Sequence, residues 1–480
     1  MKRFFKDFFI YGFASIFGKM AAVFLISVYT SILTKEEYGA MAMITAFKGI
    51  IDLFSNLNIH SGISRDYYEI KDDRKRLVST GLISILTCAF IVLCIISAFS
   101  HLITDDLLEI PKYYWAFMVM AMSIPAGSTM SYFSILTRYK KKPTLFTVGN
   151  ILQLIIQIGI SIVCVVVLRK GIISIFIGIL CGEIFSILYF GYINRSDIGI
   201  TFKKEYLYKA LKFSIPTLPA ILAGWLDSSL GQVLIGKYVS MAELGVYSLA
   251  LSLSSVFTLV STAFQNVWSP FLYENYMKSN FNNEAKKLFA TFCLALILIT
   301  ISVSTLAPEL ILLLSNRGYL DASIYFPLLC IPMSVYLLFP FASSGVSISR
   351  DTKYIGISYV GGSLLNVVLM FLLLQHLSIL AVPIALCASR IFTFFFLYVV
   401  SNKKIELKLP IDLIGVLTLV AVFVFLLNYY KTGLLTRACT FVCLSSLVCC
   451  YIQYRYNYVS VIRLQIMNFI HKHKKISLYN

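Results

Sequence analysis

Thr34-Lys35-Glu36-Glu37-Tyr38-Gly39 stands between two long apolar runs, and 206 residues further on Ser240-Met241-Ala242-Glu243-Leu244-Gly245 stands between two more. A Ser/Thr-x-x-Glu-x-Gly signature at matching places marks an internal repeat. A second correspondence, at an offset of 212, sets Arg138, Lys141 and Gly149 against Arg350, Lys353 and Gly361. In order and together, these matches predict two related six-helix halves, residues 1–200 and 201–405, followed by an extra helix pair and a basic tail in 406–480. Six is even, so both halves start from the same side, and the axis relating them runs along the membrane normal. The segment 194–212 is then the linker between them.

Composition places this repeat in a membrane. Of 480 residues, 59% are hydrophobic and 13% are charged, whereas ordinary soluble domains carry about 25% charged residues. A soluble enzyme is thereby excluded. About fourteen apolar runs are long enough to cross about 30 Å of hydrocarbon. They extend from 8–33 and 38–63 through 172–193, 213–239, 244–268, 355–376 and 380–400 to 411–429 and 436–454. Backbone polar groups in lipid must be satisfied within the segment, so the fold class is an all-α polytopic membrane protein. The first run is too long for a signal-peptide core and reads as a retained helix. About 30 of the 41 basic residues fall in loops on one side and about 8 on the other, which places both termini in the cytoplasm. The net charge of +18 is thus largely topological, and Lys19, Lys48 and Arg390 are left inside spans. There is no nucleic-acid-binding pattern and no Walker-type loop, and the pairs Asp72-Asp73 and Asp105-Asp106 sit in short loops where they read as solvated. The eleven cysteines all lie within predicted spans and read as core packing rather than as a disulfide framework. Neither a cofactor nor a metal site is expected.

Polar stripes interrupt four of the spans. Gly12, Ser15, Lys19, Ala22 and Thr30 recur at helical spacing in the first; Thr45, Lys48, Asp52 and Ser55 do so in the second. The seventh carries Thr217, Gly224, Asp227 and Gly231, and the eighth Ser248, Ser252, Ser255, Thr258, Thr262 and Gln265. A lysine facing lipid at mid-depth costs about 2.5 to 3.5 kcal/mol, so these faces are expected to point inward, into a hydrated central cleft. The residues leave other readings open. Small and hydroxylated side chains also suit dry helix contacts, and Lys48 and Asp52, four apart, also suit a closed ion pair. Lys19 and Arg390 have no partner within one turn; a ligand anion or an interhelical pair with Glu183 or Asp227 would satisfy them. Pro216 and Pro219 are expected to bend the seventh span.

The stretch from Lys19 to Gly39, with Val28-Tyr29-Thr30-Ser31-Ile32-Leu33 followed by Lys35-Glu36-Glu37-Tyr38-Gly39, resembles the approach to the second helix in bacterial polysaccharide flippases of the Wzx type. These belong to the multidrug/oligosaccharidyl-lipid/polysaccharide exporter superfamily. Similar likeness lies in Gly62-Ile63-Ser64-Arg65-Asp66-Tyr67-Tyr68-Glu69, Gly245-Val246-Tyr247, Ala307-Pro308-Glu309 and the segment from Arg350 to Lys353, while Ser343-Ser344-Gly345 and Leu380-Ala381 follow the late helices only loosely. The resemblance implies a carrier, not an enzyme, in the bacterial cytoplasmic membrane. Its substrate would be an undecaprenyl-pyrophosphate-linked oligosaccharide repeat unit, moved outward by ion-coupled alternating access for O-antigen (lipopolysaccharide), capsule or exopolysaccharide synthesis. Chemistry agrees, because each sugar hydroxyl carried unpaired into hydrocarbon costs several kcal/mol. On this reading Lys19, Lys48, Arg65 and Arg390 are candidates for the pyrophosphate, and Asp52 and Asp227 for a coupling proton or sodium ion. Ser15, Thr45, Ser252, Ser255, Thr262 and Gln265 would line the cleft. Expected partners are the lipid-linked oligosaccharide, membrane lipids, a polysaccharide polymerase and a chain-length regulator, and no nucleic acid. A lipid II flippase is the near alternative. A multidrug or cation exporter would favour carboxylates over lysines in the cleft, and a non-transporting assembly scaffold would have no use for the polar stripes.

Overall fold

The computed structural model describes residue 18, residues 20–70 and residues 72–456, and every regular element among them is helical. The first group is α1 (Met20–Ile32), α2 (Lys35–Asn56), α3 (Ile59–Glu69), α4 (Arg74–Ala98), α5 (Tyr114–Tyr139), α6 (Pro143–Ile162) and α7 (Ile173–Asn194). A short α8 (Lys204–Ser214) leads to α9 (Leu218–Trp225), α10 (Gly231–Tyr238), α11 (Met241–Ser254), α12 (Val256–Asn275) and α13 (Phe281–Thr305). Then come α14 (Ala307–Leu314), α15 (Ala322–Leu337), the one-turn pieces α16 (Phe339–Ala342) and α17 (Ser344–Ile348), α18 (Lys353–Leu377) and α19 (Ala381–Asn402). The final pair is α20 (Asp412–Tyr429) and α21 (Leu434–Tyr456), packed on α13 and α15.

Both copies of the repeated signature start a helix. Thr34 caps α2: its Oγ1 accepts the Glu37 N–H at 3.2 Å, and the Glu37 carboxylate accepts the Thr34 N–H at 2.9 Å, a reciprocal capping box. Ser240 caps α11 in the same way, its Oγ accepting the Glu243 N–H at 3.1 Å. The Glu243 carboxylate, however, turns outward and accepts the Tyr325 hydroxyl of α15 at 3.4 Å. One turn into each helix the signature ends on glycine, and the two glycines meet. A Cβ on Gly39 would run into the Met241 carbonyl, and one on Gly245 into the Lys35 carbonyl. The contact is reciprocal, residue for residue, as a twofold relation between two copies requires. Its tightness explains why the signature ends on glycine twice.

Ten helices are long and apolar enough to cross a membrane, or eleven if the bent pair α2–α3 is one span, counted among the described residues. That is fewer than the fourteen or so apolar runs, and the reasons are local. The 38–63 run bends by 50° where Leu57 and Asn58 both adopt left-handed backbone, with φ of 46° and 52°. The 244–268 run is interrupted at Ser255, between α11 and α12, and the described part of the first run, Met20–Ile32, falls short of a full span. In contrast, Lys353–Asn402 scores as one 50-residue stretch, although the chain reverses at Ser378, where φ is 49°. There α18 and α19 run antiparallel: the Ser389 hydroxyl donates to the Gly362 carbonyl at 2.7 Å and the Thr393 hydroxyl to the Ser358 carbonyl at 3.4 Å.

The seventh run is irregular at two places. Pro216 lies in a short 3₁₀ turn that separates α8 from α9, as its proline predicts, and Pro219 lies in the first turn of α9. A second irregularity comes two turns later, as a widened π-helical turn over Leu226–Leu230 that contains Asp227. Such turns insert an extra residue and re-aim side chains, often at functional positions.

Because the atoms met at Gly39 and Gly245 are backbone, no rotamer change relieves an added methyl, and overpacking of this kind costs about 1 to 3 kcal/mol. Gly39→Ala and Gly245→Ala are expected to lower the melting temperature of the purified protein. Gly224→Ala, with no neighbour within 4 Å among the described residues, is expected to leave it unchanged or raised.

Candidate functional site

Two cation-centred clusters lie inside the helical bundle. In the first, Lys48 Nζ of α2 stands 3.0 Å from Asp52 Oδ2, one turn along the same helix, and 3.8 Å from Glu183 Oε1 of α7. Glu183 is buried, and its Oε2 has no hydrogen-bond partner among the described residues. Gly127 of α5 makes room for this meeting, since a Cβ there would come 2.9 Å from Glu183 Oε1 and 3.4 Å from Lys48 Nζ. One turn on, the Ser55 and Ser128 hydroxyls are 2.9 Å apart and join α2 to α5. In the second cluster Arg390 Nη2 of α19 stands 3.2 Å from Asp227 Oδ2, and the Asn366 amide of α18 donates to Asp227 Oδ1 at 3.2 Å. The guanidinium lies over Tyr336, 4.9 Å from the ring centroid, with Phe339 at 5.9 Å. Aromatic faces hold a cation without neutralising it.

A hydrogen bond joins α2, which carries Lys48, to the segment that carries Asp227. The indole N–H of Trp225 donates to the Ala46 carbonyl at 2.8 Å, and Gly49 leaves space for the ring. Trp225 lies two residues before Asp227, and Ala46 two residues before Lys48. Along this junction Thr45, Gly49 and Asp52 of α2, with Gly224 and Ser228, form a small and polar surface that the protein leaves accessible. Such a surface inside membrane-crossing helices requires water rather than lipid beside it.

The charges are largely compensated. The first cluster sets two carboxylates against one ammonium, the second one carboxylate against one guanidinium. The structure therefore brings Lys48, Asp52, Asp227 and Arg390 to the bundle interior as pairs, and an anion reaching either cation has to displace a carboxylate. Lys19 and Ser15 lie outside the described residues. Arg65 is on α3, beyond the 50° bend, and Thr262 and Gln265 are on α12; their side chains also lie outside the described set. Thr45 is exposed, its hydroxyl bonded to the Met41 carbonyl at 2.7 Å. Ser252 and Ser255 border a separate cavity of ≈ 600 Å³ whose other walls include Met20, Phe24, Leu310 and Phe326. That cavity is apolar, and the Ser252 hydroxyl is already bonded to the Ser248 carbonyl at 2.8 Å. Trp225 and Asn366 escaped the sequence reading. The signal for Asn366 was an amide isolated in an apolar run, and for Trp225 one of only three tryptophans placed next to a buried acid.

These helices define a multi-pass membrane protein. The fold is similar to that of the lipid II flippase MurJ in an inward closed conformation, with a TM-score of 0.71 at 16% identity, covering 93% of this chain and 99% of that one. It is also similar to a multidrug resistance MATE family transporter of the MOP superfamily in an inward-facing conformation, with a TM-score of 0.66 at 13% identity, covering 83% and 95%. The Vibrio cholerae MATE transporter VcmN in its bent form gives a TM-score of 0.55 at 12% identity, covering 87% and 98%. Among curated proteins none matches the sequence. The chain belongs to the family of polysaccharide biosynthesis proteins, whose profile matches residues 28–324.

Removing one member of a buried ion pair leaves its partner uncompensated, at a cost of about 3 to 5 kcal/mol. Arg390→Gln and Asp227→Asn are each expected to lower the melting temperature in detergent, and the double variant to recover much of the loss. Additive losses in that double-mutant cycle would show that the two side chains do not act as a pair.

Proposed function

We propose that the protein is a flippase that moves a polyprenyl-pyrophosphate-linked oligosaccharide repeat unit across the bacterial cytoplasmic membrane for surface polysaccharide synthesis. The observation that carries this reading is the accessible polar surface of Thr45, Gly49, Asp52, Gly224 and Ser228, flanked on both sides by an ion-paired cation. Sugar hydroxyls need such a surface, since unpaired transfer into hydrocarbon costs several kcal/mol each. The matched family, described as polysaccharide biosynthesis proteins, supports the substrate class, and the likeness to MurJ and to MATE transporters supports the carrier fold.

Two halves, 1–200 and 201–405, rock about the Gly39–Gly245 contact on this reading, with the termini in the cytoplasm. The pyrophosphate takes the place of carboxylates on Lys48 and Arg390, joined by Lys19 and Arg65. For a dianion to enter, the displaced carboxylates need a compensating cation, and a proton or sodium ion on Asp52, Glu183 or Asp227 supplies it. Coupling is then an exchange of partners: the ion binds the carboxylate, the cation is released to the substrate, and the reverse exchange resets the carrier. The apolar cavity bordered by Phe24 and Leu310 suits part of the polyprenyl tail, which has no need of water.

Cation–substrate contact predicts that Lys19→Ala, Lys48→Ala and Arg390→Ala abolish surface polysaccharide while leaving the protein in the membrane, even where expression is raised to match the unaltered protein. Normal polymer display in all three at equal expression removes the cationic-site reading. Rescue of cells depleted of their lipid II flippase, without any effect on surface polysaccharide, would move the substrate to the peptidoglycan precursor. In a background lacking the eleven native cysteines, Thr45→Cys and Ser228→Cys are expected to react with a membrane-impermeant thiol reagent, and protection of both throughout transport would mean a dry seam.

A further inference from the structure

The motif Ala307-Pro308-Glu309 has no part in the clusters above, yet it frames a second built site. A cavity of ≈ 270 Å³ lies where α14 and the start of α15 meet the turn between α20 and α21. Arg437 of α21 lines it, 8% exposed, with its guanidinium forked onto Glu309 at 2.6 and 2.9 Å and a third bond to the Thr305 carbonyl at 3.3 Å. Asn428 lines it too, 4% exposed, donating to the Ser304 and Ser323 carbonyls at 3.0 and 2.9 Å. Each keeps one polar atom without a partner among the described residues, Arg437 Nε and Asn428 Oδ1. At the mouth Lys431, in left-handed backbone and exposed, reaches the half-exposed Asp321 at 3.2 Å.

The surroundings fix the level of this cavity in the membrane. Tyr429 and Tyr430, both exposed, immediately precede Lys431, as tyrosines do at the boundary between lipid and water. Leu312 and Leu313 of α14 and Leu434 and Leu435 of α21 are exposed beside it, an apolar fence of the kind that acyl chains cover. The charges of the lining cancel, two acids against two bases. A net anion such as pyrophosphate gains little from such a set, whereas a headgroup carrying both a phosphate and a primary ammonium finds a counter-charge for each.

We propose that this cavity is a binding site for the headgroup of a phosphatidylethanolamine-type phospholipid. The phosphate meets Lys431 and Arg437, the ammonium meets Asp321, Glu309 and the Asn428 carbonyl, and the chains lie along the leucine fence. The bound lipid fills the joint between the extra helix pair and the rest of the bundle. The site stands independently of the transported substrate, since none of its residues belongs to the two cation clusters.

The test is native mass spectrometry of the full chain in detergent, offered phosphatidylethanolamine, phosphatidylcholine, phosphatidylglycerol or undecaprenyl phosphate. Retention is expected to favour phosphatidylethanolamine over phosphatidylcholine, whose quaternary ammonium has no N–H to donate, and over both anionic lipids. Lys431→Ala and Asp321→Asn, at the exposed mouth, are each expected to weaken that retention about tenfold while leaving the melting temperature of lipid-free protein in place. Equal retention of phosphatidylethanolamine and phosphatidylcholine, preference for an anionic lipid, or indifference to both substitutions would overturn the site. Should either variant fail to fold, the ranking of the four lipids on the unaltered protein decides alone.

Discussion

Two glycines let two backbones touch, and the rest of the arrangement hangs on that approach. With Gly39 against the Met241 carbonyl and Gly245 against the Lys35 carbonyl, α2 and α11 are held closer than side chains would permit. In hydrocarbon there is no hydrophobic drive to bring helices together, so close backbone packing is one of the few forces available. From that fixed point α2 runs into the bundle, carrying Lys48 to Glu183 and Ala46 to Trp225. The positions of both charge clusters therefore follow from where α2 is pinned at its start.

Much of this was legible from residue order. The repeated signature pointed to two equivalent helix starts, and the Thr-x-x-Glu pattern alone forecasts a cap. Lys48 four before Asp52, and Arg390 with Asp227 as one of two offered partners, were readable because an apolar span has so few ways to satisfy a charge. What the sequence concealed depends on three-dimensional neighbours. That Lys48 is shared with Glu183 needs the small residue at 127, on a helix 79 positions away. The π-turn at Asp227 carries no proline or glycine signature of its own, whereas the prolines nearby mark only the 3₁₀ turn ahead of α9. Ser252 and Ser255 show the limit of reading polarity from one helix, because the apolar walls of their cavity come from α1, α14 and α15.

The compensated clusters also constrain energetics. A free lysine or arginine waiting in the bundle for an anion would be expensive to keep, and a carboxylate partner lowers that cost. Aromatic rings under Arg390 add to this, because Tyr336 and Phe339 favour the guanidinium without neutralising it.

The two helix caps, alike in sequence, differ in where their carboxylates are spent. Glu37 closes back on its own helix start, whereas Glu243 is tethered to Tyr325 on α15. The two caps therefore differ at a single side chain, and the two sides of the seam are not interchangeable. One cap is self-contained; the other is anchored to its neighbour. Each start is capped within its own helix, so neither cap depends on the contact between α2 and α11.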